Sequence, residues 1–544
     1  MAGGGASGRR EGPAELRSFG VAALLCLALG MVACGGSPPQ IVDYFPQRGA
    51  IEVSTAVPIR ITFDHDVDKA SVESRLHLSP STPGTVHWVS GRQLLYEHTT
   101  LQPSTTYEVI LEAGYRDLAG NVYTLRHHWA FVTEAPPGLT GSTPANGDRG
   151  VDPASYLMLD FTRAMDGPSL ASAITLYPNV PIDVRLDPAD GRRAIIAPSQ
   201  LLAPNTSYQI AISTAALDAD GNQLDRDQTI DFSTGTLHPL HGWVTFTVAN
   251  PDGSAGGAWI VDAQGFPRRV YDLEPVSSFS WSPAGDRLLV DGPNDSWSEF
   301  VPGGDATTLP FRATWAAALA TGMGYAYIDE ARTLHRLGAD GSDTVVASDV
   351  SEASVAPDGL RVAFVESGAA ADAVWGYDVG LHVRYQLALD TAPVSDVTWS
   401  PSANRIAYLR ADPNATSLRV RNLTGPAATI TVASGDLGAP AWLPDSLHVV
   451  FAAAVSSAGG VVHKAFVLSV VTPPAALAAS AGEPADPSVD VASPVPSPDG
   501  HQIAFIDANQ VWLMNADGTR PTPLTKFDAA TFPYSCRMPA WTRT

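Results

Sequence analysis

The chain has 544 residues, too many for one hydrophobic core, so several domains are expected. Its 33 basic and 56 acidic side chains leave a formal net charge of −23, which excludes nucleic acid as a partner and works against anionic lipid headgroups, because both require a cationic surface. Forty-seven glycines and 44 prolines stand beside only 16% charged residues; with apolar residues alternating in short runs, this composition predicts strands and turns, an all-β fold.

Arg9, Arg10 and Arg17 precede the apolar run Phe19–Leu29, which ends in Gly30-Met31-Val32-Ala33-Cys34. The run is too short to span a bilayer as a permanent helix and reads as an export signal over residues 1–33. Met31-Val32-Ala33-Cys34 resembles the lipobox of bacterial lipoproteins, with Met31 where leucine is usual. The resemblance implies cleavage between Ala33 and Cys34 and lipidation of Cys34, so that the membrane is a partner through the anchor. Several acyl chains on one residue suffice for stable attachment, since each buried methylene contributes about 0.8 kcal/mol. The residue after Cys34 is Gly35, not the aspartate that retains some lipoproteins at the inner membrane, so the expected location is the cell envelope, at the outer membrane. A glycine- and proline-rich tether over 34–39 follows.

Three cysteines are present, Cys26, Cys34 and Cys536. Cys26 belongs to the export signal and Cys34 to the anchor, which leaves Cys536 alone in the mature chain, without a disulfide partner or a neighbouring histidine. It is expected to be a buried, inert thiol.

Residues 40–135 reappear as 136–236. Phe45-Pro46-Gln47-Arg48-Gly49 matches Thr143-Pro144-Ala145-Asn146-Gly147, and Ile59–Phe63 with Asp64 and Asp68 matches Leu157–Phe161 with Asp166. Leu101-Gln102-Pro103-Ser104-Thr105-Thr106-Tyr107 matches Leu202-Ala203-Pro204-Asn205-Thr206-Ser207-Tyr208, and Asp117-Leu118-Ala119-Gly120-Asn121 matches Asp218-Ala219-Asp220-Gly221-Asn222. Two such modules of short alternating strands predict two tandem two-sheet sandwiches. The shared motifs resemble the bacterial Ig-like domain repeated in envelope proteins, which implies spacer or binding modules with no catalytic residues to transfer. Asp218, Asp220 and Asn222 imitate the start of a calcium loop, but no glutamate follows at the required distance, so a hairpin turn is expected. His127 and His128 are neighbours on a strand, point to opposite faces and cannot chelate one ion.

Over 237–544 a different unit recurs: Phe279-Ser280-Trp281-Ser282-Pro283-Ala284-Gly285-Asp286-Arg287-Leu288, Val355-Ala356-Pro357-Asp358-Gly359, Val397-Thr398-Trp399-Ser400-Pro401, Ala441-Trp442-Leu443-Pro444-Asp445 and Pro496-Ser497-Pro498-Asp499-Gly500. A degenerate copy is read at Ala313-Thr314-Trp315, and the chain ends on a half unit at Ala540-Trp541-Thr542. Each copy reads as strand, turn, strand, because Pro presets φ and Gly accepts positive φ. The theme resembles the WD40-like repeats of the TolB family of periplasmic β-propellers. Seven candidate first strands favour seven blades, with six as the alternative, and the last strand is expected to pair with Trp243–Thr247 and close the ring. Trp281, Trp399, Trp442 and Trp541 are expected between blades, and Asp358 and Asp499 in turns.

No H-E-x-x-H, G-x-S-x-G, phosphate-binding loop or C-x-x-C motif occurs. No catalytic residue, metal ligand or cofactor is assigned. The reading is a non-catalytic display protein: a stalk of two sandwiches, roughly 30–40 Å each, presents a propeller face to an envelope protein or glycan. The alternative is an envelope polysaccharide- or peptide-degrading enzyme with its site at the propeller channel. Ionisable side chains converging there favour the enzyme, an uncharged face favours binding.

Overall fold

The computed structural model describes residues 36–237, 240, 242–271, 275–302, 304–369, 371–424, 429–457, 460–473, 489–527 and 534–542. The expected signal, with Ala33 and Cys34, lies outside them. The chain divides into two compact units between Glu134 and Ala135. The first is one sandwich; the second contains the other sandwich and the whole carboxy-terminal domain.

Each sandwich sets a four-stranded sheet against a three-stranded one. In the first, Ile41–Phe45, Ile59–Phe63, Gln93–His98 and Gly84–Trp88 face Leu76–Ser79, Thr106–Leu111 and His127–Val132. Alternation puts Ile59, Ile61 and Phe63 against Tyr107, Val109, Leu111, Trp129 and Phe131 in one buried cluster. The second repeats this with Leu157, Leu159 and Phe161 against Tyr208, Ile210, Ile212, Ile230 and Phe232.

The duplicated motifs have physical roles. Tyr107 Oη accepts from Gln102 N at 3.1 Å, and Tyr208 Oη from Ala203 N at 2.9 Å, tying each strand to the loop before it as a tyrosine corner does. Thr133 and Thr234 donate to Gln102 O and Ala203 O at 2.7 and 2.6 Å, closing the same loops. Two short helices are absent from the sequence reading, α1 (Lys69–Glu73) and α2 (Gly167–Ala173). Asp68 and Asp166 cap them by accepting from Ser71 N and Ser169 N. A five- or seven-residue helix carries too little periodicity to be seen in sequence, although its cap was in the repeat.

Among the described residues, 244–541 form seven antiparallel sheets. The first joins Val244–Ala249, Ala255–Val261 and Arg268–Tyr271 to the last strand, Ser535–Trp541, with Val244 opposite Trp541. The terminal pairing expected from sequence is therefore present. The second (Phe279–Trp281 onward), third (Trp315–Ala318 onward), fourth (Val350–Val355 onward), fifth (Val394–Trp399 onward), sixth (Ala441–Trp442 onward) and seventh (Ala492–Pro496 onward) follow as meanders in chain order. A separate apolar cluster fills each space between successive sheets, including that between the seventh and the first. Cyclic packing of this kind is a β-propeller.

Each hairpin between first and second strands uses one turn. Its fifth residue, counted from the last residue of the first strand, takes positive φ: Gly285, Gly322, Gly359, Ala403, Ser446 and Gly500 lie between 51° and 79°. The register corrects one sequence reading. Ala318 pairs with Tyr325 as Trp281 pairs with Leu288, so Ala318, and not Trp315, holds the tryptophan position in the third sheet. Trp315 lies three residues earlier and pairs with Ile328.

The second sandwich is fixed to the propeller. Arg268, fully buried on the outer strand of the first sheet, donates Nη1 to Ala154 O at 2.6 Å and lies over the Tyr156 ring at 4.3 Å. Arg269 N donates to Ser199 O at 2.7 Å, and Leu201 enters the cluster between the first and second sheets. The sandwich thus covers an otherwise open sheet edge.

Candidate functional site

In the second to seventh sheets the first strand in chain order is an edge strand, and in the first sheet the corresponding edge belongs to the last strand, Ser535–Trp541. Trp399 Nε1 donates to Ser354 O at 3.1 Å, Trp442 to Thr398 O at 3.4 Å and Trp541 to Val495 O at 3.0 Å, each reaching the first strand of the preceding sheet. Trp281 reaches Thr245 Oγ1 at 2.9 Å in the first sheet. The four tryptophans therefore join blades, as read from sequence, because an indole buried between sheets needs an acceptor for its N–H.

A cavity of about 310 Å³ opens among the first four sheets. Phe279, Ser280, Trp281, Trp315, Ala353 and Trp541 are among its walls, and none of its lining residues is ionisable. Ser280 Oγ is buried there without a hydrogen-bond partner among the described residues. The carboxylate of Glu352, also on a first strand, is spent on structure: Oε2 accepts from Asp396 N at 2.7 Å and Oε1 from Val397 N at 2.5 Å, at a bulge of the fifth sheet. Burial pushes its pKa up to about 7 against the pull of those two N–H groups.

The other sequence candidates are accounted for locally. Asp218 accepts from Asn222 N, Asn222 Nδ2 and Asp220 N, which makes it the anchor of a tight turn. His127 packs edge-on against Tyr44 and Trp129, while His128 meets Glu108 on the opposite face. Asp358 receives Leu360 N and Arg361 Nη2, and Asp499 receives Ser497 Oγ and His501 N, all within turns. Cys536 is 2% exposed, and burial pushes its thiol up to about 12, far from thiolate chemistry.

Two cavities escaped the sequence reading. One of about 400 Å³ lies between the second sandwich and the propeller, among Pro181, Arg185, Trp259, Phe266 and Lys526. The other, an open groove of about 720 Å³, separates the second and third sheets. Both draw on several strands and turns, so no single stretch of sequence marks them.

Residues 36–133 and 134–234 each match the family model of the bacterial Ig-like domain. That stretch is two bacterial Ig-like domains in tandem, and the whole chain is an all-β protein of two such domains and a propeller. No curated protein matches the chain. Among solved structures it is similar to TolB from Acinetobacter baumannii (14% identity, 68% of this chain and 83% of that one, TM-score 0.36). It is similar also to a putative TolB from Agrobacterium tumefaciens (16%, 52% and 88%, TM-score 0.34). A third is an oligogalacturonate lyase from Vibrio parahaemolyticus (11%, 53% and 87%, TM-score 0.38).

Proposed function

We propose that this chain is an envelope lipoprotein, anchored through Cys34, whose propeller binds a protein or glycan partner without transforming it. The carrying observation is the cavity among the first four sheets: general acid–base or nucleophilic chemistry needs converging ionisable groups, and the lining of this cavity offers none. Bacterial Ig-like domains over 36–234 suit an envelope or periplasmic setting, and the export signal and the motif ending at Cys34 supply the anchor.

The test compares the native protein with Cys34→Ser by intact mass, lipid labelling and membrane fractionation. Labelled, membrane-bound native protein, with an unlabelled or uncleaved variant, supports the anchor. An identical, unlabelled, soluble product from both overturns it.

A further inference from the structure

The groove between the second and third sheets is built around a distorted edge strand. In Thr307–Arg312, Thr308 pairs with Ser298 and Arg312 with Ser296, so Leu309, Pro310 and Phe311 oppose a single residue. Pro310 cannot donate to a ladder, which suits it to a bulge on an edge, and bulges re-aim side chains. Leu309 turns inward, whereas Phe311 crosses to the third sheet and stacks on Tyr327, with centroids 4.3 Å apart and planes 1° apart. Tyr327 stacks in turn on His335, at 4.7 Å and 7°. This three-ring pile is held from outside: Tyr327 Oη donates to Asp343 Oδ2 at 2.7 Å, and the two nitrogens of His335 meet Asp343 and Asp329 at 3.2 and 3.4 Å. Beside the pile, Tyr325 Oη, two residues from Tyr327 on the same strand, donates to Glu299 at 2.7 Å, as Arg287 Nη1 does at 2.8 Å.

We propose that this groove binds a neutral oligosaccharide, with Phe311 as the platform for a sugar ring and Thr308, Arg287 and Asp343 as hydrogen-bonding groups for its hydroxyls. Of the charged groups that line it, Arg287 pairs with Glu299, and Asp343 meets Tyr327 Oη and a His335 nitrogen; the net charge of −23 disfavours a polyanion. The groove size falls in the range of ligand sites. Gly324, Gly338 and Gly341 line it, with their backbone held in turns: Gly338 N donates to Ser342 O, Gly341 N to Gly338 O, and Gly324 O accepts from Leu319 N. An aromatic face with fixed polar groups around it matches a pyranose, which has an apolar C–H face and a polar rim. A pre-ordered pile lowers the cost of binding.

The proposal rests on the binding reading above and names its partner class. The full mature chain, in detergent, is titrated calorimetrically with maltotetraose, cellotetraose and chitotetraose, and with tetralysine and inorganic phosphate as charged probes; the sugars are then weighed by mass spectrometry. Binding of at least one sugar, weakened tenfold or more by Phe311→Ala and severalfold by Thr308→Val in variants whose circular dichroism and cooperative unfolding show the native fold, supports the groove. Binding by no sugar, binding that survives both substitutions, or preference for a charged probe overturns it. Cleavage of a bound sugar that both variants lose supports the groove while overturning the non-catalytic reading, so the two fail separately.

Discussion

Glu352 shows how one side chain can make a propeller sensitive to pH. Its folded pKa stands at about 7, above the usual 4.5, with burial as the leading cause. Below the ordinary carboxyl range both folded and unfolded chains hold the proton, and no penalty arises. Between 4.5 and 7 the unfolded chain ionises while the folded one keeps its proton, so stability falls as pH rises, and the full penalty stands above 7. At 1.36 kcal/mol per unit the ceiling is about 3 kcal/mol. Urea unfolding at pH 5 and pH 8 should show native stability dropping by up to about 3 kcal/mol, and Glu352→Gln should flatten that dependence. An equal drop in the variant would assign the effect elsewhere. The sequence showed Glu352 only as one acid among many, because its neighbours Asp396 and Val397 lie on the next sheet.

At the scale of the element, the repeated hairpin shows which part of a motif the backbone demands. Positive φ is the constant; glycine meets it at Gly285, Gly322, Gly359 and Gly500, but Ala403 and Ser446 occupy it at 51° and 59°. A side chain in that region costs roughly 1 kcal/mol. Ala403→Gly should therefore stabilise the protein by about 1 kcal/mol in chemical denaturation. Ser446→Gly should give less, because Ser446 Oγ accepts from Ser402 N at 3.0 Å and links two sheets; losing that bond costs about 1 kcal/mol. The same reasoning explains the misplaced marker in the third sheet. Tryptophan identity leads to Trp315, whereas the conformational requirement leads to Gly322 and hence to Ala318.

For the molecule as a whole, the consequential feature is the junction of the second sandwich with the propeller. Arg268 is a buried guanidinium gripped by Ala154 O and the Tyr156 ring, so its removal leaves a void and an unmet acceptor. Arg268→Ala should cost about 3 kcal/mol and split the calorimetric unfolding of residues 135–544 into two transitions. Arg268→Met, which restores volume without charge, should recover much of the loss. A single undisturbed transition in Arg268→Ala would show that the two domains are coupled by other contacts.

The sequence by itself determined the all-β class, the duplicated Ig-like domains and the propeller hairpins. These depend on local rules, two-residue alternation and turn residues tolerant of positive φ, which are written into short windows such as Leu202–Tyr208 and Trp281–Leu288. The terminal closure was legible too, because Ala540-Trp541 repeats the first-strand pattern. The cavity among the first four sheets, the sandwich locked onto the first sheet and the Phe311 groove were decided only by tertiary structure. Each brings together residues from separate strands, and a bulge of two residues can redirect a side chain without leaving a mark in the pattern of alternation.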